Sequence, residues 1–119
     1  MSKTVLVVDD EMLIALDIQV QLEELGHKVV VASTVSGALA LVERERVDVA
    51  IVDWHLHDEI SAPLIDLLQQ CKIPFVLCSG SGFEELASLF PASPILTKPF
   101  ASADLVNVLS RIVDEGPVQ

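Results

Sequence analysis

Val5-Leu6-Val7-Val8-Asp9-Asp10-Glu11 is the stretch that decides the fold. Four apolar residues without a polar interruption suit a strand covered on both faces, because a strand with one wet face would alternate. Three acidic residues follow at once, where such a strand would leave the core. The arrangement recurs along the chain. Apolar runs rich in Val and Ile stand at 29–32, 49–52, 75–78 and 95–96. The third run ends in Asp53, the fourth in Ser79-Gly80-Ser81-Gly82 and the fifth in Thr97-Lys98-Pro99.

Between the runs, apolar residues step at helical intervals. Ile14, Ile18, Leu22 and Leu25 form one stripe, and Gly26 follows where a left-handed residue closes a helix. Val35, Ala38, Leu39 and Val42 form a second, finished in solvent by Glu43-Arg44-Glu45-Arg46. Leu64, Leu67, Leu68 and Cys71 form a third; residues 83–90 form a weaker fourth, stopped by Pro91. The last stripe is Leu105, Val108, Leu109 and Ile112, with Ser102 as its expected cap and Asp104 facing the helix dipole. Strand and helix thus alternate five times. That order predicts an α/β three-layer sandwich around a five-stranded parallel sheet. One domain is expected over 1–119, with its core at about 3–115, a fraying tail after 115 and no tether to another domain.

Composition supports a packed core and narrows the partners. Of 119 residues 51% are hydrophobic, too many for a disordered chain. Seven Lys and Arg stand against 18 Asp and Glu, a net charge of -11. Such a surface repels phosphate backbones and anionic lipid, which argues against direct nucleic-acid binding and membrane association. Cations, or basic patches on other proteins, complement it. Cys71 and Cys78 read as reduced thiols used as small apolar residues. No apolar run approaches the roughly 18–20 residues of a membrane span, and Met1-Ser2-Lys3-Thr4 lacks signal-peptide anatomy. A cytoplasmic location is expected.

Parallel strands all end on one edge of their sheet, and ligands bind outside that edge. The fold would therefore gather Asp9, Asp10, Asp53, Ser79 and Lys98 from distant segments. Converging carboxylates repel one another, and the usual remedies are protonation or a hard divalent cation such as Mg2+. A facing lysine can neutralise a transferred phosphoryl group, and a carboxylate can itself become an aspartyl phosphate. Positioning and charge neutralisation then supply most of the catalysis.

Val7-Val8-Asp9-Asp10-Glu11, Ile51-Val52-Asp53, Cys78-Ser79-Gly80 and Thr97-Lys98-Pro99-Phe100 together resemble the receiver domain of bacterial two-component response regulators, of the stand-alone type. The resemblance covers roughly residues 3–115 and implies the strand order 2-1-3-4-5. It implies that Asp53 is the phospho-acceptor. Asp9, Asp10, Asp53 and the backbone carbonyl of His55 would bind Mg2+, while Ser79 and Lys98 would hold phosphoryl oxygens. Glu11 would begin a helix, and the Lys98–Pro99 peptide would be cis. A histidine kinase or phosphotransfer protein would be the donor. A downstream protein would dock on the fourth helix, fifth strand and fifth helix, and a phosphorylation-dependent dimer is left open. Such a module catalyses only its own phosphorylation and dephosphorylation.

The chain departs from the family in places. Trp54-His55-Leu56-His57-Asp58-Glu59-Ile60 stands where the family often has Leu-Pro and a later Gly, and Ile95 stands where many members carry a switching aromatic. Pro74-Phe75-Val76-Leu77-Cys78-Ser79-Gly80 is similar to a subgroup signature Pro-Phe-x-Phe-Ala-Thr-Gly-x-Tyr, with Ser79 for the Thr and Gly82 for the Tyr.

Other readings are weaker. An aspartyl-phosphate phosphatase would carry a second Asp where His55 stands. A flavodoxin-type carrier needs a hydroxyl-rich phosphate loop where Asp9-Asp10-Glu11 stand. A phosphorylation-independent pseudo-receiver would not need the intact acidic and lysine set. His55, His57 and Asp58 suggest a transition-metal site only superficially, and a solvated loop is the better expectation. His27 reads as a turn residue and Trp54 as a partly exposed side chain open to a partner. Val106 and Val113 lie off the main stripe of the last helix.

Overall fold

A computed structural model describes residues 2–115, apart from the side chains of Ser102 and residues 113–115. The cap expected of Ser102, the off-stripe Val113 and the tail beyond 115 therefore lie outside the described part. The chain runs β1 (Thr4–Val8), α1 (Met12–Glu24), β2 (Lys28–Ala32), α2 (Val35–Arg44), β3 (Val49–Asp53), β4 (His55–Leu56), β5 (Glu59–Ile60), α3 (Ala62–Gln70), β6 (Phe75–Ser79), α4 (Phe83–Leu89), β7 (Ile95–Thr97) and α5 (Ser102–Glu115). Five strands form one parallel sheet in the order β2-β1-β3-β6-β7. Counting only those five, the order is 2-1-3-4-5, as expected.

The strand pleat sorts the apolar runs into two cores. Val5 and Val7 face one side of the sheet with Ala15, Ile18 and Leu22 of α1 and Leu105, Leu109 and Ile112 of α5. Leu6 and Val8 face the other side with Ala38, Leu64, Leu68 and Leu86, from α2, α3 and α4. Central β3 and β6 are buried along their whole length, whereas the edge strands β2 and β7 are mostly half-buried. The unbroken run at 29–32 therefore reads as more deeply buried than an edge position allows.

Local chemistry sets several boundaries. Thr34 Oγ1 accepts from the Gly37 N–H at 3.0 Å and caps α2. Gly26 takes φ +92° just after α1, as its position predicts. Glu11 is the N-cap residue of α1. His27 does more than turn the chain, because its Nδ1 accepts from the Lys3 N–H at 3.1 Å.

Three expectations need correction. Leu25 and Cys71 are exposed rather than part of their stripes, because α1 ends at Glu24 and α3 at Gln70, one residue short of each. Cys71 is thus no core residue, although Cys78 is. Trp54 is only 8% exposed, because its ring turns into the core beneath α4 instead of out to a partner. The segment after Trp54 is no plain loop either: β4 and β5 pair as an antiparallel hairpin, His55 opposite Ile60 and Leu56 opposite Glu59.

Candidate functional site

The carboxyl edge of the sheet gathers the acidic residues. Asp53 is the last residue of β3, and Asp9 and Asp10 follow β1, its neighbour in the sheet. One carboxylate oxygen from each of Asp9, Asp10 and Asp53 lies within 4.8 Å of the other two. Asp9 and Asp53 are buried, and Asp10 is half-buried. Asp9 Oδ1 accepts from the Glu11 N–H at 2.9 Å, which fixes its carboxylate at the start of α1.

Lys98 enters from the end of β7. Its Nζ donates to Asp53 Oδ2 at 2.8 Å and to Asp9 Oδ2 at 3.3 Å, with Glu11 Oε1 at 4.0 Å. The Lys98–Pro99 peptide is cis, as the resemblance implied. The Asp9 and Asp53 carboxylates thus share the Lys98 ammonium, with Asp10 beside them. Burial raises the Asp53 pKa; the Lys98 hydrogen bond and charge pull it down, Asp9 and Asp10 push it up, and the net displacement is upward. Burial works to lower Lys98, but its bond to Asp53 and the charges of Asp53 and Asp9 outweigh it, so its pKa is raised. A trio of oxygen donors carrying surplus negative charge fits a hard divalent cation that keeps part of its water shell.

Ser79 lies one residue beyond Cys78, the partner of Asp53 in the ladder. Its buried hydroxyl donates to the Ser81 carbonyl and accepts from the Ser81 N–H at 3.2 Å. That hydroxyl is engaged with its own loop rather than with Asp53. The His55 side chain is exposed, so any part it plays at the site falls to its backbone.

Two contributors escape a reading of the sequence. The backbone N–H of His57 donates to Asp10 Oδ2 at 2.8 Å, and its Nδ1 lies 3.2 Å from the same oxygen. His57 adopts φ +47° to do so. Ser61 is fully buried, and its Oγ donates to the Asp53 carbonyl at 2.6 Å. A serine directly before Ala62-Pro63 signals a helix start, but nothing in its spacing reveals that its hydroxyl reaches back eight residues.

The sheet order and the acidic trio at its carboxyl edge define a class: α/β signalling modules of the flavodoxin-like receiver type. The family model described as "Response regulator receiver domain" matches residues 5–110, and the chain belongs to that family. The phyllosphere-induced regulator PhyR of Methylorubrum extorquens is 31% identical over 116 residues, covering 93% of this chain and 43% of that protein. The solution structure of SdrG from Sphingomonas melonis is 36% identical with a TM-score of 0.80, covering 93% of this chain and 96% of that one. A CheY-like receiver from Methanospirillum hungatei is 25% identical with a TM-score of 0.86, covering 97% and 96%. The chain spans about half the length of the curated relatives it matches. Receiver domains are signalling modules that typically bind Mg2+ at an acidic cluster. Among the described residues, no helix is long and apolar enough to cross a membrane.

Proposed function

We propose that Asp53 accepts a phosphoryl group from a histidine kinase or histidine phosphotransfer protein, and that the charge it gains switches protein contacts. The observation that carries this reading is the Lys98 ammonium 2.8 Å from Asp53 Oδ2, with Asp9 and Asp10 beside it. In the step, a carboxylate oxygen of Asp53 attacks phosphorus in line, and the P–N bond to the donor histidine breaks. Asp9, Asp10, Asp53 and the His55 carbonyl would hold Mg2+, which would supply charge neutralisation for the phosphoryl oxygens. Lys98 would bind one oxygen, and Ser79 another after exchanging its bond to Ser81. The exposed Met12, Leu13 and Leu16 of α1, next to Glu11 at the pocket rim, offer a donor protein an apolar footing.

The output surface would be α4, β7 and α5. Helix α4 has seven residues, one of them buried, and its N-cap is Gly82 at φ +75°, with no side-chain hydrogen bond. Phosphorylation adds about -1.5 to -2 charge at Asp53, and this lightly held segment follows the strand that carries Ser79. A single receiver domain over 1–119, acting in the cytoplasm without direct nucleic-acid contact, completes the proposal. Relay to a further protein, partner binding and a phosphorylation-dependent dimer are its alternative outputs.

The test is acetyl phosphate with and without Mg2+, read by intact mass. Wild type should gain one phosphoryl group only with Mg2+, and Asp53→Asn none. Phosphate on the Asn variant, or on wild type in EDTA, would overturn the assignment.

A further inference from the structure

The peptide bond that follows the Asp53 carboxylate is held on both sides. On one, the Trp54 N–H donates to the Cys78 carbonyl at 2.9 Å, which ties it to β6. On the other, the β1 ladder ends at Val8 and Val52, one residue short of Asp53. The Asp53 carbonyl instead accepts from Ser61 Oγ at 2.6 Å. Ser61 also donates its own N–H to the Trp54 carbonyl at 2.9 Å, and the Ile65 N–H donates to the Ser61 carbonyl at 3.0 Å. This one buried residue closes the hairpin of residues 54–60 and anchors it to α3.

The use of the hydroxyl departs from what its position favours. Ser61 is the N-cap residue of α3, where a serine oxygen ordinarily accepts from an N–H of the first turn. It makes no such cap bond, and Pro63 removes one of the N–H groups that would have needed it. The hydroxyl proton goes to Asp53 instead. A carboxylate hangs from the same Cα as the carbonyl that Ser61 holds, so fixing the peptide plane restricts where the carboxylate can aim.

We propose that Ser61 is a positioning residue for phosphoryl transfer, orienting the Asp53 carboxylate toward the cation and the incoming phosphoryl group. This rests on the reading of Asp53 as the acceptor. Ser61 touches neither cation nor phosphoryl group and acts only through the backbone. Groups that orient metal ligands typically change affinity or activity by about 10- to 100-fold when removed.

The experiment compares wild type, Ser61→Ala and Ser61→Thr. Mg2+ is titrated alone, read by Trp54 fluorescence, and phosphorylation rate is followed against acetyl phosphate concentration at saturating Mg2+. Ser61→Ala should bind Mg2+ about 10-fold more weakly and lose maximal rate with little change in half-saturation by acetyl phosphate. Ser61→Thr, which keeps the hydroxyl, should recover most of both. If Ser61→Ala does not fold, Ser61→Cys, of similar volume but a far weaker donor, takes its place with the same loss expected. A hydroxyl-free variant that melts earlier yet matches wild type in Mg2+ affinity and rate, measured well below its melting temperature, would overturn the proposal. A wild type that takes no phosphate on Asp53 would instead overturn the functional reading beneath it.

Discussion

The indole of Trp54 meets the ring of Phe90 edge-on, with centroids 5.6 Å apart and planes at 66°. Phe90 meets Phe75 in the same manner at 6.4 Å and 86°. Trp54 is the residue after Asp53, and Phe90 is the C-cap residue of α4. An aromatic contact thus joins the residue after Asp53 to the far end of α4.

Phe90→Ala should destabilise the domain by about 2 kcal/mol, less than a fully buried Phe because this ring is half-buried. Trp54 emission should move to longer wavelength as water reaches the indole. Hydrogen exchange with beryllofluoride, a phosphoryl mimic, provides the functional readout. Wild type should change protection across residues 79–92 with little change over 35–46, and Phe90→Ala should blunt the change over 83–90. An undiminished response in the variant would separate the aromatic contact from signalling.

Asp53→Asn should raise stability in EDTA at neutral pH, seen as a higher thermal midpoint. Burial and the neighbouring Asp9 and Asp10 raise the Asp53 pKa despite Lys98. The folded state therefore holds its proton at a pH where the unfolded chain has released it. Stability falls as pH rises from the ordinary aspartate value of 3.8 through the raised one. Asn does not titrate, so its advantage should be largest above that window and fade below it. Thermal melts across pH check this, and an Asn variant less stable at pH 7 in EDTA would contradict it.

The fold was legible because burial on both faces writes itself as unbroken apolar runs, as in Val5 to Val8. Asp9, Asp10, Asp53 and Lys98 were legible because strand ends in a parallel sheet share one edge. Trp54 was misread because a lone aromatic beside polar residues carries no period to show which way it turns. Leu25 and Cys71 were misplaced by one helical step, within which a helix end is hard to fix from pattern alone. Ser61 and His57 were missed for a different reason. Their bonds join residues through a hairpin turn whose geometry depends on the φ of His57, and no spacing rule encodes that.

The two thiols should differ sharply in reactivity. Cys71 is exposed, whereas Cys78 is buried and pushed up to about 12 by burial first and by the Asp53 charge second. The thiolate is the nucleophile, so Cys78 should stay unmodified at pH 8 in the folded protein. Iodoacetamide followed by peptide mass mapping should find Cys71 alkylated and Cys78 only after denaturation. Equal labelling of both in the folded state would mean that β6 opens far more readily than its full burial implies.

Lys98→Ala should separate cation binding from switching. The ammonium lies 2.8 Å from Asp53 and 3.3 Å from Asp9, where it neutralises charge that a divalent cation would otherwise meet. Its loss leaves three carboxylates without that counter-charge, so Mg2+ should bind as well as in wild type or several-fold more tightly. In EDTA the same surplus charge should cost about 2 kcal/mol, below the range for breaking a fully buried pair because the pocket is open enough to hydrate or protonate. Mg2+ should restore most of that loss, so the variant's melting temperature should rise more steeply with Mg2+ than that of wild type. The response to beryllofluoride should nonetheless disappear, because the ammonium that follows β7 is no longer there to meet the new oxygens. Trp54 fluorescence titration gives the affinity, and amide chemical shifts give the response. Weaker Mg2+ binding would contradict the counter-charge argument, and shifts like those of wild type would remove Lys98 from the switching role.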